Sequence, residues 1–229
     1  MKKIIFQDLG RMSYRAAWDF QEERLKEKTA LKQAGKNNLI TNELYFVEHN
    51  PVFTLGKSGH EENVLLSAEQ LFQKGIEYFH INRGGDITFH GPGQIVGYPI
   101  FDLEQFKTDL GWYLRSLEEV IIRTIAEYGI KGERSKGETG VWIEPAHKGY
   151  ERKICAMGIR CSRWITMHGF ALNVNTDLNY FNDIIPCGIQ GKQVTSLKKE
   201  LNADIPIEEV KTKLKRHFSN VFDAELSDV

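Results

Sequence analysis

Long apolar runs, a rich set of cysteines and an excess of charge of one sign are all missing from this 229-residue sequence. No run of 18 or more apolar residues occurs, so no membrane-spanning helix is predicted. The two N-terminal lysines precede only a short apolar patch without a small-residue cleavage site, which is unlike a secretory signal. Thirty basic and 31 acidic residues nearly cancel, which argues against a general nucleic-acid-binding protein.

The three cysteines form an odd set without a disulfide framework, so a reducing cytoplasm is the predicted location. The sequence contains no internal repeat and no low-complexity linker. A chain of this length can bury a substantial core. We therefore expect residues 1–229 to form a single domain.

Helical and strand-like patterns mix along the chain without strict alternation. Helices are predicted over residues 13–34, over 110–128 and from Pro206 onwards. Strands are predicted at 43–48, 51–55, 139–144, 153–161 and 165–174, and the last two should form a hairpin around a turn at 162–163. The predicted fold class is α/β (α+β), with a mixed β-sheet flanked by helices.

The densest local signal is segment 83–94, RGGDITFHGPGQ, in which glycine and proline supply five of the twelve residues. Glycine lets a ligand approach the backbone closely and lets N–H groups point at a carbonyl or an oxyanion. Arg83, His90 and Gln94 in the same stretch favour a binding site over a plain hairpin turn. The segment matches neither G-x-x-x-x-G-K-[ST] nor G-x-G-x-x-G, so a phosphate cradle is not predicted and no cofactor is expected.

Cys187 stands in the string IIPCGIQ, where Pro186 restrains the backbone and Gly188 frees it. A thiol with an ordinary pKa of about 8.5 needs a nearby cation or base to act as a nucleophile. Lys153, His168 and His90 are the candidates. The alternative role for this cysteine is that of a small buried apolar side chain.

The other two cysteines, Cys155 and Cys161, share one face of a predicted strand, where core packing is expected. Neither a C-x-x-C nor an H-x-x-x-H spacing occurs, so no metal site is predicted. The remaining histidines lack a supporting context and are taken as ordinary residues: His49, His60, His80, His147 and His217.

Three segments together resemble the lipoyl(octanoyl) transferases, also called octanoyl-[acyl-carrier-protein]:protein N-octanoyltransferases. They are RGGDITFHGPGQ (83–94), RKICAMGIR (152–160) with HGFALNVN (168–175), and IPCGIQG (185–191). Their order and spacing fit as well, and the resemblance covers residues 5–215. It implies a compact fold similar to the catalytic domain of biotin and lipoate protein ligases.

The resemblance also implies roles for individual residues. The nucleophilic cysteine falls on Cys187, and the lysine that lowers its pKa falls on Lys153. The acyl-binding positions fall on three stretches of the chain: Arg83, Gly84, Gly85, Asp86, Ile87, Thr88, Phe89 and His90; Ala156, Met157 and Gly158; and Gly169, Phe170 and Ala171.

The implied reaction takes octanoyl, or lipoyl, from octanoyl-acyl carrier protein through a Cys187 thioester to a lysine, without ATP. The implied acceptors are the lipoyl domains of 2-oxoacid dehydrogenases and the glycine cleavage H protein, and a monomer is expected. Two alternatives remain, an ATP-dependent lipoate ligase of the same fold and a non-catalytic acyl-binding protein. Residues 150–199 carry seven basic and three acidic residues, which indicates either a rim that steers acidic partners or a solvated face.

Overall fold

The computed structural model describes residues 2–185 and 193–229. The strands of this part of the chain are β1 (Lys2–Met12), β2 (Asn42–His49), β3 (Val52–Leu55), β4 (Glu77–His80), β5 (Ile87–His90), β6 (Gln94–Ile100), β7 (Val141–Ile143), β8 (Arg152–Ser162), β9 (Ile165–Asn173), β10 (Gln193–Val194) and β11 (Ala224–Asp228). The helices are α1 (Tyr14–Gln33), α2 (Ala68–Gln73), α3 (Leu110–Ala126), α4 (Leu197–Leu201) and α5 (Ile207–Phe222).

The main sheet is mixed. Its strands follow the order β10-β8-β9-β6-β2-β1-β11, with β7 paired to β8. The pairs β1–β2, β1–β11 and β8–β10 are parallel, whereas β2–β6, β6–β9 and β8–β9 are antiparallel. A second sheet of three strands has the order β4-β3-β5. The predicted fold class, a mixed sheet with flanking helices, is confirmed.

Alternation along β2 explains how the main sheet is covered on both faces. Leu44 and Phe46 join the core that contains the apolar stripes of α3 and α5. Tyr45 and Val47 point the other way and pack with α1. Because successive strand residues face opposite sides, a strand buried on both faces needs apolar residues at every position, as LYFV at 44–47 supplies.

The predicted helices are confirmed, and their ends follow local chemistry. The Ser13 hydroxyl accepts a hydrogen bond from the Ala16 N–H at 3.3 Å and caps α1. Asp109 caps α3 in the same way through Trp112. Gly35 and Gly129 follow these helices with φ of +69° and +75°, a backbone region that suits glycine.

The hairpin between β8 and β9 is also confirmed. Its two turn residues are Arg163 and Trp164, one position later than predicted, and both have positive φ. This is the backbone of a type I′ turn, whose twist matches that of the flanking strands. The hairpin matters for the site because it sets Ala156 opposite Ala171 and Gly158 opposite Gly169.

Several elements were not predicted. They are β1 and β11 at one edge of the main sheet, the short helices α2 and α4, and the strands β4, β5, β6 and β10. Strands β5 and β6 enclose the Gly91–Gly93 turn, so five of the twelve residues of the glycine-rich segment are strand and not loop. Within the described ranges, no helix combines the length and the apolar composition of a membrane span.

Candidate active site

A cavity of about 540 Å³ lies where the glycine-rich segment meets strands β8, β9 and β6. Twelve of the fourteen positions implied by the resemblance line it: Arg83, Gly85, Asp86, Ile87, Thr88, His90, Ala156, Met157, Gly158, Gly169, Phe170 and Ala171. Lys153 lines it too. Segments 70 residues apart in sequence are thus brought to one concave surface by the strand order.

Gly84 and Phe89 lie outside this lining. Phe89 belongs to another apolar cluster, where its ring stacks on Tyr180 with centroids 4.4 Å apart. Strand alternation explains this, because Thr88 and His90 point into the cavity and Phe89 between them points away. The Gly84 N–H donates to the Ile159 carbonyl at 2.9 Å and attaches the segment to β8.

Two glycines permit the close contacts that shape the cavity. A Cβ on Gly158 would come within 2.6 Å of the Gly84 carbonyl oxygen, so the Arg83–Gly84 backbone can reach β8 only because that side chain is missing. A Cβ on Gly169 would overlap the Gly97 carbonyl and lie 2.6 Å from Cδ of Pro99. The sequence signal of clustered glycine therefore reflects close backbone packing around the cavity.

The Arg83 guanidinium is buried at the inner side of the cavity. Its Nη2 donates to the Thr54 carbonyl at 2.7 Å and to the Thr54 hydroxyl at 3.1 Å, and its Nη1 donates to the Gly84 carbonyl. The Thr54 hydroxyl lies 3.4 Å from Nε2 of His90. The guanidinium charge opposes protonation of the nearby imidazoles and helps to lower the pKa values of His90 and His168.

Hydrogen bonds on both ring nitrogens fix the tautomer of His90. Its Nδ1–H donates to Oε1 of Gln94 at 2.8 Å, while the Gln94 amide donates to Oδ1 of Asn173 at 2.9 Å. Nε2 can therefore accept from the Thr54 hydroxyl. Burial, reinforced by His49 and Arg83, keeps the His90 pKa well below its ordinary value.

His168 is buried in the cavity wall with an unusual backbone. Its φ is +62°, a conformation that costs energy for a side chain with a Cβ and that clusters at functional sites. The His168 N–H donates to Oε1 of Gln21 at 3.0 Å, and Nε2 lies 3.3 Å from Oδ1 of Asn82. Burial lowers the pKa of His168 to about 3, with smaller contributions from Arg83 and Arg160.

Two tyrosines complete this inner wall. The Tyr14 ring stacks on His90 with centroids 5.8 Å apart, and the Tyr98 hydroxyl lies 2.7 Å from Nε2 of His49. Burial raises the pKa of both phenols, so both remain protonated. His49 donates through Nδ1 to the Met12 carbonyl, and burial lowers its pKa to about 4.

The opposite end of the cavity is open. Exposed residues Ser58, His60, Gly137 and Thr139 line it, together with partly buried Lys153. The Lys153 ammonium lies 4.6 Å from the centroid of the Trp142 ring. Because burial keeps His90 and His168 neutral, Lys153 is the remaining cation among the three candidates that the sequence offered for activating a thiol.

Cys187 lies outside the described residues, as do Pro186 and Gly188. The chain on either side is anchored. Ile185 donates its N–H to the Asn63 carbonyl at 2.8 Å, and Val194 is in register with Lys153 in the β8–β10 pair. Thr195 then donates its N–H to the Lys153 carbonyl at 2.9 Å.

The other two cysteines, Cys155 and Cys161, differ in burial. Cys155 is fully buried in the main core, as predicted, and burial raises its pKa. Cys161 is only partly buried, so the expectation of core packing is wrong for it. It lies near the end of β8, at the hairpin turn, where the strand reaches the surface. In the described part of the chain, no three His, Cys, Asp or Glu side chains gather as a metal site.

Part of the basic excess at 150–199 is neutralised by ion pairs. Arg152 pairs with Glu144 and Glu200, Arg160 with Glu22, and Lys198 with Asp204. Surface charges that are already paired contribute little to long-range steering. The contacts thus favour the solvated face over the steering rim for these residues.

Some lining residues were missed by sequence reasoning. Tyr14 was predicted only as part of a helix core, and Val96, Tyr98, Glu138 and Thr139 were not singled out. His49, predicted to be ordinary, is buried behind His90 with ring centroids 5.8 Å apart. The adjacency of His49, Tyr98 and His90 arises from strand order, which no local pattern reveals.

The model of the lipoyl protein ligase A/B catalytic domain family matches residues 13–219. An octanoyltransferase of Flavobacterium johnsoniae is 55% identical over 98% of this chain and 99% of its own length. Among solved structures, a bi-partite lipoate protein ligase from Thermoplasma acidophilum has a TM-score of 0.66 at 16% identity, covering 100% of this chain and 86% of the other.

A biotin protein ligase from Aquifex aeolicus has a TM-score of 0.50 at 15% identity, covering 97% of this chain and 69% of the other. At these low sequence identities, the two structures show a similarity of fold alone. The predicted similarity to the catalytic domains of lipoate and biotin protein ligases is confirmed.

Proposed function

Because the chain belongs to the lipoyl protein ligase A/B family and, within it, to the octanoyltransferases, we propose that it carries octanoyl, or lipoyl, from acyl carrier protein to a lipoyl-domain lysine. The acceptors proposed are the lipoyl domains of 2-oxoacid dehydrogenases and the glycine cleavage H protein. The archaeal ligase of the same fold is described with its E2 lipoyl domain, which agrees with this acceptor class.

In the first half-reaction the Cys187 thiolate attacks the thioester carbonyl of the octanoyl carrier. The new C–S bond forms as the old one breaks, and the carrier leaves as its thiol after taking a proton. A thiolate near neutral pH needs a cation beside it. Lys153 is proposed for this role, since the two histidine candidates are held neutral.

In the second half-reaction the acceptor lysine amine attacks the Cys187 thioester. A C–N bond forms, the C–S bond breaks, and the proton lost by the amine passes through Lys153 to the medium or to the cysteine sulfur. An amide is more stable than a thioester, so the transfer runs downhill without ATP.

The acyl chain is proposed to occupy the cavity between Lys153 and the inner wall. Its sides are Ala156, Ala171 and Gly169, whose small size leaves room for methylenes. Each buried methylene contributes about 0.8 kcal/mol, so a cavity of fixed length can discriminate between acyl chains.

The observation that supports the proposal most is the register of Lys153. It lies opposite Val194, where the chain resumes after the Cys187 segment, and it lines the same cavity as the acyl positions. The lysine is therefore the described residue that connects the cysteine segment with the acyl cavity.

The test compares two donors with one lipoyl-domain acceptor and follows the acceptor mass. Octanoyl-acyl carrier protein without ATP should add one octanoyl group to the acceptor. Free octanoate with ATP should give none. Transfer only in the second reaction would replace the proposal by an ATP-dependent ligase, and transfer in neither would leave a non-catalytic acyl-binding protein.

A further inference from the structure

The Lys153 side chain rests on an aromatic face supplied by the neighbouring strand. Trp142 and Lys153 are directly opposite each other in the β7–β8 pair, so their side chains leave the sheet on the same side. The ammonium nitrogen lies 4.6 Å from the centroid of the indole. This distance is within the range of a cation–π interaction, for which Trp is the strongest partner.

The indole itself is fixed in place. Trp142 is 2% exposed, and its backbone exchanges two hydrogen bonds with Glu133, at 2.8 and 2.9 Å. Two residues earlier, Gly140 has a φ of +104°, and a Cβ there would lie 2.5 Å from the Cys155 carbonyl oxygen. A side chain at Gly140 would therefore displace the β8 backbone.

A buried carboxylate holds this strand to helix α3. Oε1 of Glu118 accepts a hydrogen bond from the Gly140 N–H at 3.1 Å, and Oε2 pairs with Arg115 and Arg134 at 2.6 and 3.0 Å. Glu118 is fully buried. The backbone around Trp142 is thus attached to the sheet and to helix α3, and its side chain is buried, while the lysine above it is partly exposed.

From these contacts we infer that Trp142 is a positioning residue for Lys153, which holds the ammonium over the indole face at the mouth of the cavity. An aromatic face attracts a cation through the negative charge on the face of its π-system, and a buried ring therefore fixes where the ammonium sits. The inference rests on the proposed function for its catalytic consequence, but the contact itself can be tested separately.

The catalytic arm compares Trp142→Leu with Trp142→Phe. Leu removes the aromatic face, and Phe retains one. We expect Trp142→Leu to lower kcat about tenfold with the KM for octanoyl-acyl carrier protein within about twofold, and Trp142→Phe to retain activity within about threefold. Equal losses in the two variants, or an unchanged kcat in Trp142→Leu, would overturn the inference.

The second arm needs no acyl transfer. Brief acetylation with acetic anhydride, followed by peptide mass spectrometry, gives the reactivity of Lys153 relative to exposed Lys136 in the same sample. Trp142→Leu should raise this ratio at least about threefold, because an ammonium released from the ring is deprotonated more readily, and Trp142→Phe should change it less than twofold. An unchanged ratio in an enzyme that transfers octanoyl overturns the positioning role alone. A raised labelling ratio in a protein that transfers no octanoyl supports the Trp142–Lys153 contact and contradicts the proposed function.

Folding is followed by circular dichroism and thermal unfolding in both variants. Should Trp142→Leu not fold, a polyfluorinated tryptophan at position 142 keeps the shape of the ring and withdraws the charge from its face. It should raise the labelling ratio in the same direction, and an unchanged ratio with this ring would count against the inference.

Discussion

The two ends of the cavity contrast in their exposure to solvent. At the inner wall, Tyr14, His90, Tyr98 and His168 are at most 9% exposed, and all four are held neutral. At the mouth, Lys153 is partly exposed and keeps contact with solvent. The cavity thus changes from a buried inner wall, where Arg83 is the charged residue beside these four neutral ones, to an open mouth with Lys153.

The contrast teaches that polar residues in a cavity need not be reactive. His90 bonds to buried polar residues behind the wall, in a chain that runs from Thr54 through His90 and Gln94 to Asn173. A histidine whose pKa lies far below neutrality is a poor proton carrier, and it serves to fix shape. We therefore propose that proton transfer takes place at the mouth and that the inner wall fixes the shape of the cavity.

The largest effect on octanoyl transfer is expected from a substitution at the mouth of the cavity. Lys153→Met should lower octanoyl transfer at least about 100-fold, since acid–base catalysis by one positioned group contributes about 10²–10⁴-fold. Lys136→Met makes the same change at an exposed lysine outside the lining and should stay within about twofold. Steady-state rates with the octanoyl carrier measure both, and a modest loss in Lys153→Met would move the proton transfer elsewhere.

A change on the cavity side should instead alter acyl-chain selection. Ala171→Val adds two methyl groups at a buried position in the side of the cavity. If this displaces about two methylenes of the substrate, octanoyl transfer should fall about 15-fold, or about 1.6 kcal/mol, while butyryl transfer is preserved. Equal losses for both chains would argue that the cavity does not hold the acyl group. Ala203→Val, at an exposed position, is the matched control.

Burial of His168 in the inner wall should make the free energy of unfolding depend on pH. The folded-state pKa of His168 is about 3, below its ordinary value of about 6.5, so the unfolded chain binds a proton that the folded chain does not. The stability that the neutral His168 contributes is complete above about pH 6.5 and is lost as pH falls towards 3. Over this range the free energy of unfolding falls by up to about 1.4 kcal/mol per pH unit.

Chemical unfolding of His168→Gln between pH 6 and 4.5 tests this contribution. The variant should lose less stability on acidification than the wild type, whereas His80→Gln, at an exposed position, should keep the wild-type slope. Identical slopes in all three proteins would mean that His168 is protonated in the folded state.

Secondary structure was predicted correctly from the sequence where the signal lies within one short segment, as periodicity and helix caps do. The helix capped by Ser13 and the hairpin of β8 and β9 follow from spacing within one segment. The glycine-rich segment was singled out because glycine, Arg, His and Gln are concentrated there, and Lys153 was one of three candidate residues; both line the cavity. The acyl-binding assignments came from the resemblance and not from the pattern.

What escaped prediction depends on long-range pairing. Residues 2–12 have too few apolar positions to indicate a strand, yet they pair with β2 and β11. His49 and Tyr98 come together only because β2 and β6 are neighbouring strands in the folded sheet. Trp142 could not be assigned to Lys153, because the β7–β8 register is set by the Gly140 conformation and by Glu118 on a distant helix.

The most direct test of the account is intact mass spectrometry of the protein after mixing with octanoyl-acyl carrier protein in the absence of acceptor. One octanoyl group should appear on the wild type, map to the peptide with Cys187, leave on treatment with neutral hydroxylamine and be missing from Cys187→Ser. An adduct that persists in Cys187→Ser, or a wild type that octanoylates the acceptor without ever carrying the group, would contradict the acyl-enzyme.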